Sequence, residues 1–280
     1  MDSAAATTTK TIRGVRVPSI GLGTVGLTGE AGTGTIRAAI ELGYRHIDTA
    51  IRYGNEREVG DAIRASGVAR DELFVTTKIW YTDLSPDLVR TRVGESLERL
   101  QLDHVDLLLI HWPSADTPLG ETLAAFGEER TAGRTRQIGV SNFTVALMRE
   151  AVETHGADIF ANQVEYHPFL AQKQVMSRTA AAGMMLTAYL PLARGKVFDD
   201  PVLQGIGRRH GKSAGQVALR WLIQQENVVA IPHSTRLENQ RSNLDVFDFV
   251  LEADEMAAIA RLDRQERQID LAWAPAWDRG

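Results

Sequence analysis

The chain has no cysteine, which excludes disulfide staples, thiolate catalysis and cysteine-ligated zinc. It has no apolar run near the roughly 20 residues needed to span a bilayer. Its opening, MDSAAATTTK, lacks a basic stretch followed by an apolar one, so a cytoplasmic location is expected. Basic clusters are missing too. The 31 Lys and Arg stand against 36 Asp and Glu for a net charge of −5, and they are spread evenly, which argues against a nucleic-acid partner. What remains is ordinary globular composition, 44% hydrophobic and 24% charged over 280 residues, enough for one large core.

Eight strand-like apolar runs recur: SIGLGT (19–24), YRHIDTA (44–50), LFVTTKIW (73–80), VDLLLIHW (105–112), RQIGVSN (136–142), IFANQVEY (159–166), MMLTAYLPL (184–192) and VVAIPHS (228–234). Helix-like segments lie between them. In 85–101, Leu88, Val89, Val93, Leu97 and Leu100 fall at helical spacing behind Ser85 and Pro86, an N-cap and a first-turn proline. In 213–225, Ser213 and Gln216 form a capping-box pattern. Strand plus helix repeated eight times predicts an α/β fold, a closed (β/α)8 TIM barrel, as one domain over residues 1–280. Residues 9–19 read as a hairpin around Gly14 that caps the barrel bottom, with residues 1–9 expected to be disordered. Two further helices and a loop follow the eighth strand.

In such a barrel the active site lies where strands end. Asp48 closes the second run and Tyr53 sits in the loop after it; Lys78 ends the third and His111 the fourth. Consecutive strands are neighbours, so these four belong side by side. Singly, each has a structural explanation: a turn cap, a rim aromatic, a solvent-seeking lysine, a core histidine. Together they have a chemical one. A buried lysine needs a carboxylate, for which Asp48 is nearest. The lysine then lowers the Tyr53 phenol from its ordinary pKa of about 10, and His111 can bond the same substrate oxygen. The set is a proton relay aimed at a carbonyl. Carbonyl reduction also needs hydride, which no side chain supplies, so a nicotinamide cofactor is implied. GLGTVG (21–26) is not a Rossmann fingerprint in its proper setting and reads as a backbone loop at the mouth of the first strand.

Six blocks, GYRHIDTAIRYGNEREVG (43–60), TTKIW (76–80), LLIHWP (108–113), IGVSNF (138–143), NQVEYHP (162–168) and IPHS (231–234), resemble the signatures of the aldo-keto reductase superfamily. The order is the family's and spans residues 21–251. With LDVFDF (244–249), the chain is most similar to the bacterial group of 2,5-diketo-gluconate reductases. The resemblance implies a barrel that binds NAD(P)H and reduces aldehydes, ketones or keto esters, usually as a monomer. It assigns Tyr53 as general acid, Asp48 and Lys78 as its tuning pair, and His111 as the group orienting the carbonyl. Ser141, Asn142 and Gln163 would hold the carboxamide and Tyr189 would stack on the nicotinamide, core filling being the alternative for Tyr189. Gly23, Thr24, Leu190, Leu192, His233, Ser234, Arg236, Asn239 and Asn243 complete the implied cofactor set.

Three departures stand out. His233 replaces the family's phosphate-gripping lysine, and Asn239 and Ser242 replace an Arg and a Glu. Arg236 and Arg241 stand close by and guanidinium suits phosphate, so NADPH is expected, with raised tolerance for NADH. Leu190 replaces a Ser or Gly beside the pyrophosphate, which either loosens that contact or reshapes the loop. Val25 replaces an aromatic, and the loop 113–121 is short, so a roomy pocket is expected. Its wall is expected to include Val25, Ile51, Trp80 and Trp112. Trp273 and Trp277 either fold over the mouth or pack the tail on the barrel side. An apolar wall of this kind suits uncharged carbonyl compounds.

Two rival functions remain. One is a metal-dependent hydrolase using His46, Asp48, His111, His167 and His233; Lys78 would crowd such a site with positive charge, so no metal is expected. The other is a catalytically silent sensor that binds a nicotinamide nucleotide.

Overall fold

The computed structural model describes residues 8–278. Strands β1 (Thr9–Ile12) and β2 (Val15–Pro18) pair antiparallel with Ile12 opposite Val15. The turn between them is Arg13-Gly14, both at positive φ (49° and 83°), as a two-residue hairpin requires. The hairpin is as expected; of the segment expected to be disordered, Thr9 is ordered in β1 and residues 1–7 lie outside the described residues.

Eight parallel strands follow: β3 (Leu22–Gly23), β4 (His46–Asp48), β5 (Phe74–Ile79), β6 (Val105–Ile110), β7 (Thr135–Ser141), β8 (Ala161–Glu165), β9 (Met185–Tyr189) and β10 (Val228–Ala230). Each pairs with the next in sequence. The ring closes through a parallel bridge between Ile20 and Ala230, where Gly21 N donates to Ala230 O at 2.8 Å and Ala230 N to Ser19 O at 3.0 Å. The last two strands stop short of their apolar runs. Pro191 and Pro232 follow within a few residues, have no N–H to give a ladder, and turn the chain out.

The helices are α1 (Gly29–Leu42), α2 (Glu56–Ser66), α3 (Pro86–Leu100), α4 (Leu119–Thr131), α5 (Val145–Arg149), α6 (Lys173–Ala181), α7 (Pro201–His210), α8 (Ala214–Gln224), α9 (Leu237–Leu244) and α10 (Ala253–Ala260). None is long and apolar enough to cross a membrane. In α3, Val89, Val93, Leu97 and Leu100 are buried while Leu88 stays exposed, and Ser85 sits at the N-cap without a side-chain bond. The Ser213/Gln216 box at α8 is complete: Ser213 N donates to Gln216 Oε1 at 2.9 Å, and Gln216 N to Ser213 Oγ at 3.2 Å.

Strand alternation divides the side chains into two sets. Ile47, Val75, Leu108, Ile110, Ile138, Val140, Leu186 and Ala188 point outward into the helix-covered core. Phe74, Leu107, Leu109, Ala161, Met185 and Val229 point inward and meet Ile12 and Val17 of the hairpin, which plugs the bottom. Continued by twos, the same inward face changes from apolar to polar: Phe74 leads to Lys78, Leu109 to His111, Ala161 to Gln163, Met185 to Tyr189. Room inside is tight. A Cβ on Gly139 would stand 2.7 Å from Leu109 Cδ2, and one on Gly21 would stand 2.8 Å from the His46 ring, so both positions require glycine.

His46 lies inside this wall, with Nε2 3.3 Å from Thr76 Oγ1 and Nδ1 unpartnered. Burial, only partly offset by Asp48, lowers its pKa from 6.5 to about 4. The unfolded chain therefore binds this proton below pH 6.5 and the folded chain only near pH 4. Between those values the unfolded state holds more protons, so stability should fall with falling pH by about 1.4 kcal/mol per unit from this residue. Urea unfolding of the protein and of His46→Asn at pH 7 and pH 5 checks this. The variant should lose less stability between the two; equal losses would remove His46 as the cause.

Candidate active site

The inward polar residues meet at the open end of the barrel. Lys78 Nζ, fully buried, lies 2.5 Å from Asp48 Oδ1 and donates to Thr49 O at 2.8 Å and to the Tyr53 hydroxyl at 3.4 Å. Asp48 Oδ2 accepts from Gln163 Nε2 at 2.7 Å. The carboxylate, buried between two donors, is thus compensated as a buried charge must be. Tyr53 follows β4 on a short 3-10 turn ending at Gly54 (φ 67°), a left-handed position that favours glycine. Its ring meets His111 edge-on at 5.7 Å.

Burial disfavours a bare ammonium at Lys78, but Asp48 and Tyr53 outweigh it and hold its pKa above the ordinary value. Burial raises the Tyr53 phenol, and Lys78 pulls it down without cancelling that rise. The expected lowering of Tyr53 is therefore overturned: out of water the phenolate loses more than one nearby cation returns. The phenol stays protonated at neutral pH. Burial, then Lys78 and Arg52, push the His111 pKa well down, so this imidazole is neutral.

A second network adjoins the first. Ser141 Oγ donates to Gln163 O at 2.8 Å, Asn142 Nδ2 to His111 O at 3.1 Å, and Tyr189 OH to Asn142 Oδ1 at 2.8 Å. Asn142 holds φ 62°, a left-handed backbone that asparagine tolerates. The two networks line one cavity of about 650 Å³, with Gly23, Thr24, Val25, Trp80, Trp112 and Leu190 also in its wall. Thr24 Oγ1 is engaged with Asp48 O at 3.0 Å.

A second cavity of about 520 Å³ continues past Leu190, Pro191, Arg194 and His233, which line both, to Leu192, Asn239 and Asn243. The residues between the cavities bend sharply: Leu190, Ala193, Arg194 and Gly195 all have positive φ (49°, 47°, 52° and 92°). Leucine therefore stands in a backbone geometry suited to glycine. Arg194, which no sequence pattern singled out, is exposed and is, among the described residues, the only charged one lining the second cavity.

Not every expected residue arrives. Arg236 lines neither cavity; it pairs with Glu238 on the surface. Ser234 is buried and turned back, its Oγ accepting from Arg236 N at 3.0 Å. Ile51 is absent from the cavity wall and packs against the outer core. Trp273 and Trp277, expected in the substrate wall, do not line the cavity and instead pack behind the tryptophans that do. Trp273 meets Trp80 at 5.6 Å and Trp112 at 5.1 Å, and Trp277 meets Trp112 at 5.9 Å. The tail residues reaching the cavity are Ile269 and Leu271. They are held by Glu165 at the end of β8, which accepts from Gln268 N at 2.6 Å and Ile269 N at 2.8 Å. Nothing in the sequence marked this anchor, because a buried Glu on an apolar strand names no partner.

A larger cavity of about 840 Å³ opens at the hairpin end, lined by Arg45, Glu72, Asp106 and Arg136 among others. Four of its charges pair internally, Arg136 with Asp106 at 3.3 Å and Arg45 with Glu72 at 3.9 Å, so size alone does not make it the site. Of the histidines considered as metal ligands, His167 bonds Glu165 at 3.0 Å and His233 stands in the second cavity.

The aldo/keto reductase family profile matches residues 19–264. The chain belongs to that family. Methylglyoxal reductase DkgB of Salmonella typhi is 44% identical over 266 residues, 94% of this chain and 99% of that protein. A crystal structure described as a putative 2,5-diketo-D-gluconic acid reductase B superposes with TM-score 0.95 at 44% identity, over 99% of both chains. The Bombyx mori aldo-keto reductase, solved in complex with NADP, superposes with TM-score 0.88 at 34% identity, over 95% of this chain and 96% of that one. The protein is an NAD(P)H-dependent carbonyl reductase of this family, with the barrel and hairpin the sequence implied.

Proposed function

We propose that Tyr53 is the proton donor of this reductase, that Lys78 and Asp48 support it, and that His111 orients the substrate carbonyl. The observation that carries this is the Asp48–Lys78–Tyr53 chain of contacts opening, beside His111, into a cavity that also presents Asn142, Gln163 and Tyr189. A bound reduced nicotinamide supplies the hydride. The residues fit such a group. Asn142, Gln163 and Ser141 are neutral hydrogen-bonding groups of the kind a carboxamide pairs with, Tyr189 offers a flat ring, and among the described residues the second cavity combines one cation with no carboxylate.

The protonated phenol stands ready to donate to a carbonyl oxygen as that oxygen gains negative charge. The Lys78 ammonium, 3.4 Å from the hydroxyl, stabilises the phenolate left behind. Neutral His111 has Nδ1 buried without a partner. A lone pair is cheaper to strand than an N–H, so the proton belongs on Nε2, where it can be donated to the same oxygen. Trp80 and Trp112 shield the reaction from water.

Titrating the purified protein with NADPH and NADH by fluorescence, then following absorbance loss with aldehydes and keto esters, tests the reading. Binding with turnover supports it; binding without turnover favours the silent sensor. The surface pairing of Arg236 and the His233 replacement leave the 2′-phosphate without a dedicated cation, so affinities for NADPH and NADH should be comparable. A preference above about a hundredfold for NADPH, some 2.7 kcal/mol, would overturn that. Arg194, at the junction of the cavities, is placed for the pyrophosphate common to both. Arg194→Gln should therefore weaken NADPH and NADH alike, by about tenfold; loss confined to NADPH would move Arg194 to the 2′-phosphate. A monomer acting in the cytoplasm completes the reading, and sedimentation of the purified protein tests the first part.

A further inference from the structure

One buried asparagine braces the relay without belonging to it. Asn55 stands at the N-cap of α2, two residues after Tyr53, where asparagine ordinarily turns its side chain onto the first free N–H groups of the helix. Here it makes no such bond. Its amide points elsewhere, donating from Nδ2 to Thr24 O at 2.6 Å and to Leu27 O at 3.1 Å, while Oδ1 accepts from Thr49 Oγ1 at 2.9 Å. Carbonyl oxygens only accept, which fixes the orientation of the amide and makes the Thr49 hydroxyl the donor.

The bonds that follow close a ring. Thr24 donates to Asp48 O from both N and Oγ1, each at 3.0 Å. Thr49 O accepts from Lys78 Nζ at 2.8 Å, and Lys78 in turn lies against Asp48 Oδ1. From Asn55 one path therefore runs through Thr24 to Asp48, another through Thr49 to Lys78, and the two paths meet at the ion pair. All five residues are buried, with exposures of 0% or 1%, so a lost partner is not replaced by bulk water.

The ring bears on the proton. Lys78 directs its ammonium at Asp48, Thr49 O and the Tyr53 hydroxyl, and the last contact, at 3.4 Å, is the longest. At that length a small drift of the ammonium removes it. A lysine stem is flexible, so its head stays in place only through its acceptors.

We propose that Asn55 is a positioning residue for the proton step: through Thr49 it fixes the carbonyl that shares the Lys78 ammonium, and so keeps Lys78 within reach of Tyr53. The inference rests on the reductase reading, in which Tyr53 gives up a proton. Asn55 does not line the active-site cavity, so it acts through its neighbours and not on the substrate.

The test breaks one bond from either end, with Asn55→Ala and Thr49→Val, and adds Thr49→Ser, which keeps the hydroxyl. Single-turnover reduction with saturating reduced cofactor is followed in H2O and in D2O, using the aldehyde that the unmodified protein reduces fastest. Cofactor affinity is read separately by fluorescence. Asn55→Ala and Thr49→Val should each lower the rate about tenfold. Both should also raise the ratio of the rate in H2O to that in D2O, because proton donation becomes the slower event. Thr49→Ser should stay within about twofold of the unmodified protein, and Thr49→Val should bind cofactor unchanged. Valine is close to threonine in shape, so Thr49→Val carries the test even if Asn55→Ala does not fold. A Thr49→Val rate within about twofold of the original, a loss with the isotope ratio unchanged, or an equal loss in Thr49→Ser overturns the inference while the reductase reading stands. Failure of the unmodified protein to reduce any aldehyde, despite binding cofactor, would strike the reductase reading and take the inference with it.

Discussion

Replacing Tyr53 with phenylalanine should reduce turnover by about 10²- to 10⁴-fold, the usual worth of a positioned general acid, while cofactor affinity stays close to that of the unmodified protein. The ring contact with His111 at 5.7 Å survives the change, so the cavity keeps its shape and only the hydroxyl is lost. Single-turnover reduction with saturating cofactor is the appropriate measurement, because it isolates the chemical step. If Tyr53→Phe keeps a tenth or more of the rate, another group donates the proton, and neutral His111 is the next candidate.

Lys78→Met should be costly in two separate ways. Lys78 and Asp48 are almost wholly buried, with 0% and 2% side-chain exposure. Removing the lysine strands the carboxylate with Gln163 as its remaining side-chain donor. Stability should fall by about 3–5 kcal/mol, a drop in melting temperature of roughly 10 °C for a domain of this size. Activity should fall as well, since the phenolate would form without a cation beside it. Adding Asp48→Asn separates the two losses: the double variant removes the stranded charge and should regain at least half of the lost stability, yet it should recover no turnover. Recovery of both would mean that the pair serves folding alone.

These predictions concern residues that could be read from the sequence, and the reason is geometric. In a parallel barrel each strand ends at the same rim and inward positions repeat by two, so Asp48, Lys78 and His111 announced themselves as polar ends of apolar runs. Gln163 and Tyr189 obey the same rule. The hairpin was equally legible, because Arg13-Gly14 sits between two short β-type runs. Residues placed by loops were not. Ile51 and Arg52 occupy one turn, and nothing in their order tells which faces the cavity; the structure turns Arg52 toward it and sinks Ile51 into the outer core. Arg194 gained its place from a run of left-handed residues that no local pattern foretold. The direction of the Tyr53 shift was missed for a different reason. Proximity to Lys78 could be inferred from strand order, whereas the burial that outweighs it is a property of the assembled site that strand order does not give.

The two ends of the described chain have opposite standing. The hairpin of residues 9–18 closes the bottom of the barrel, far from the chemistry, whereas residues 268–278 wall the mouth, pinned by Glu165 and by Asp278 accepting from Val145 N at 2.9 Å. For anyone handling the protein, this makes attachment directional. An affinity tag, a fluorophore or an immobilising surface joined ahead of residue 8 would hang behind the enzyme and leave the opening clear. The same attachment joined beyond residue 278 would tug on the strap that shapes the substrate wall, and would read out as altered selectivity instead of lost folding.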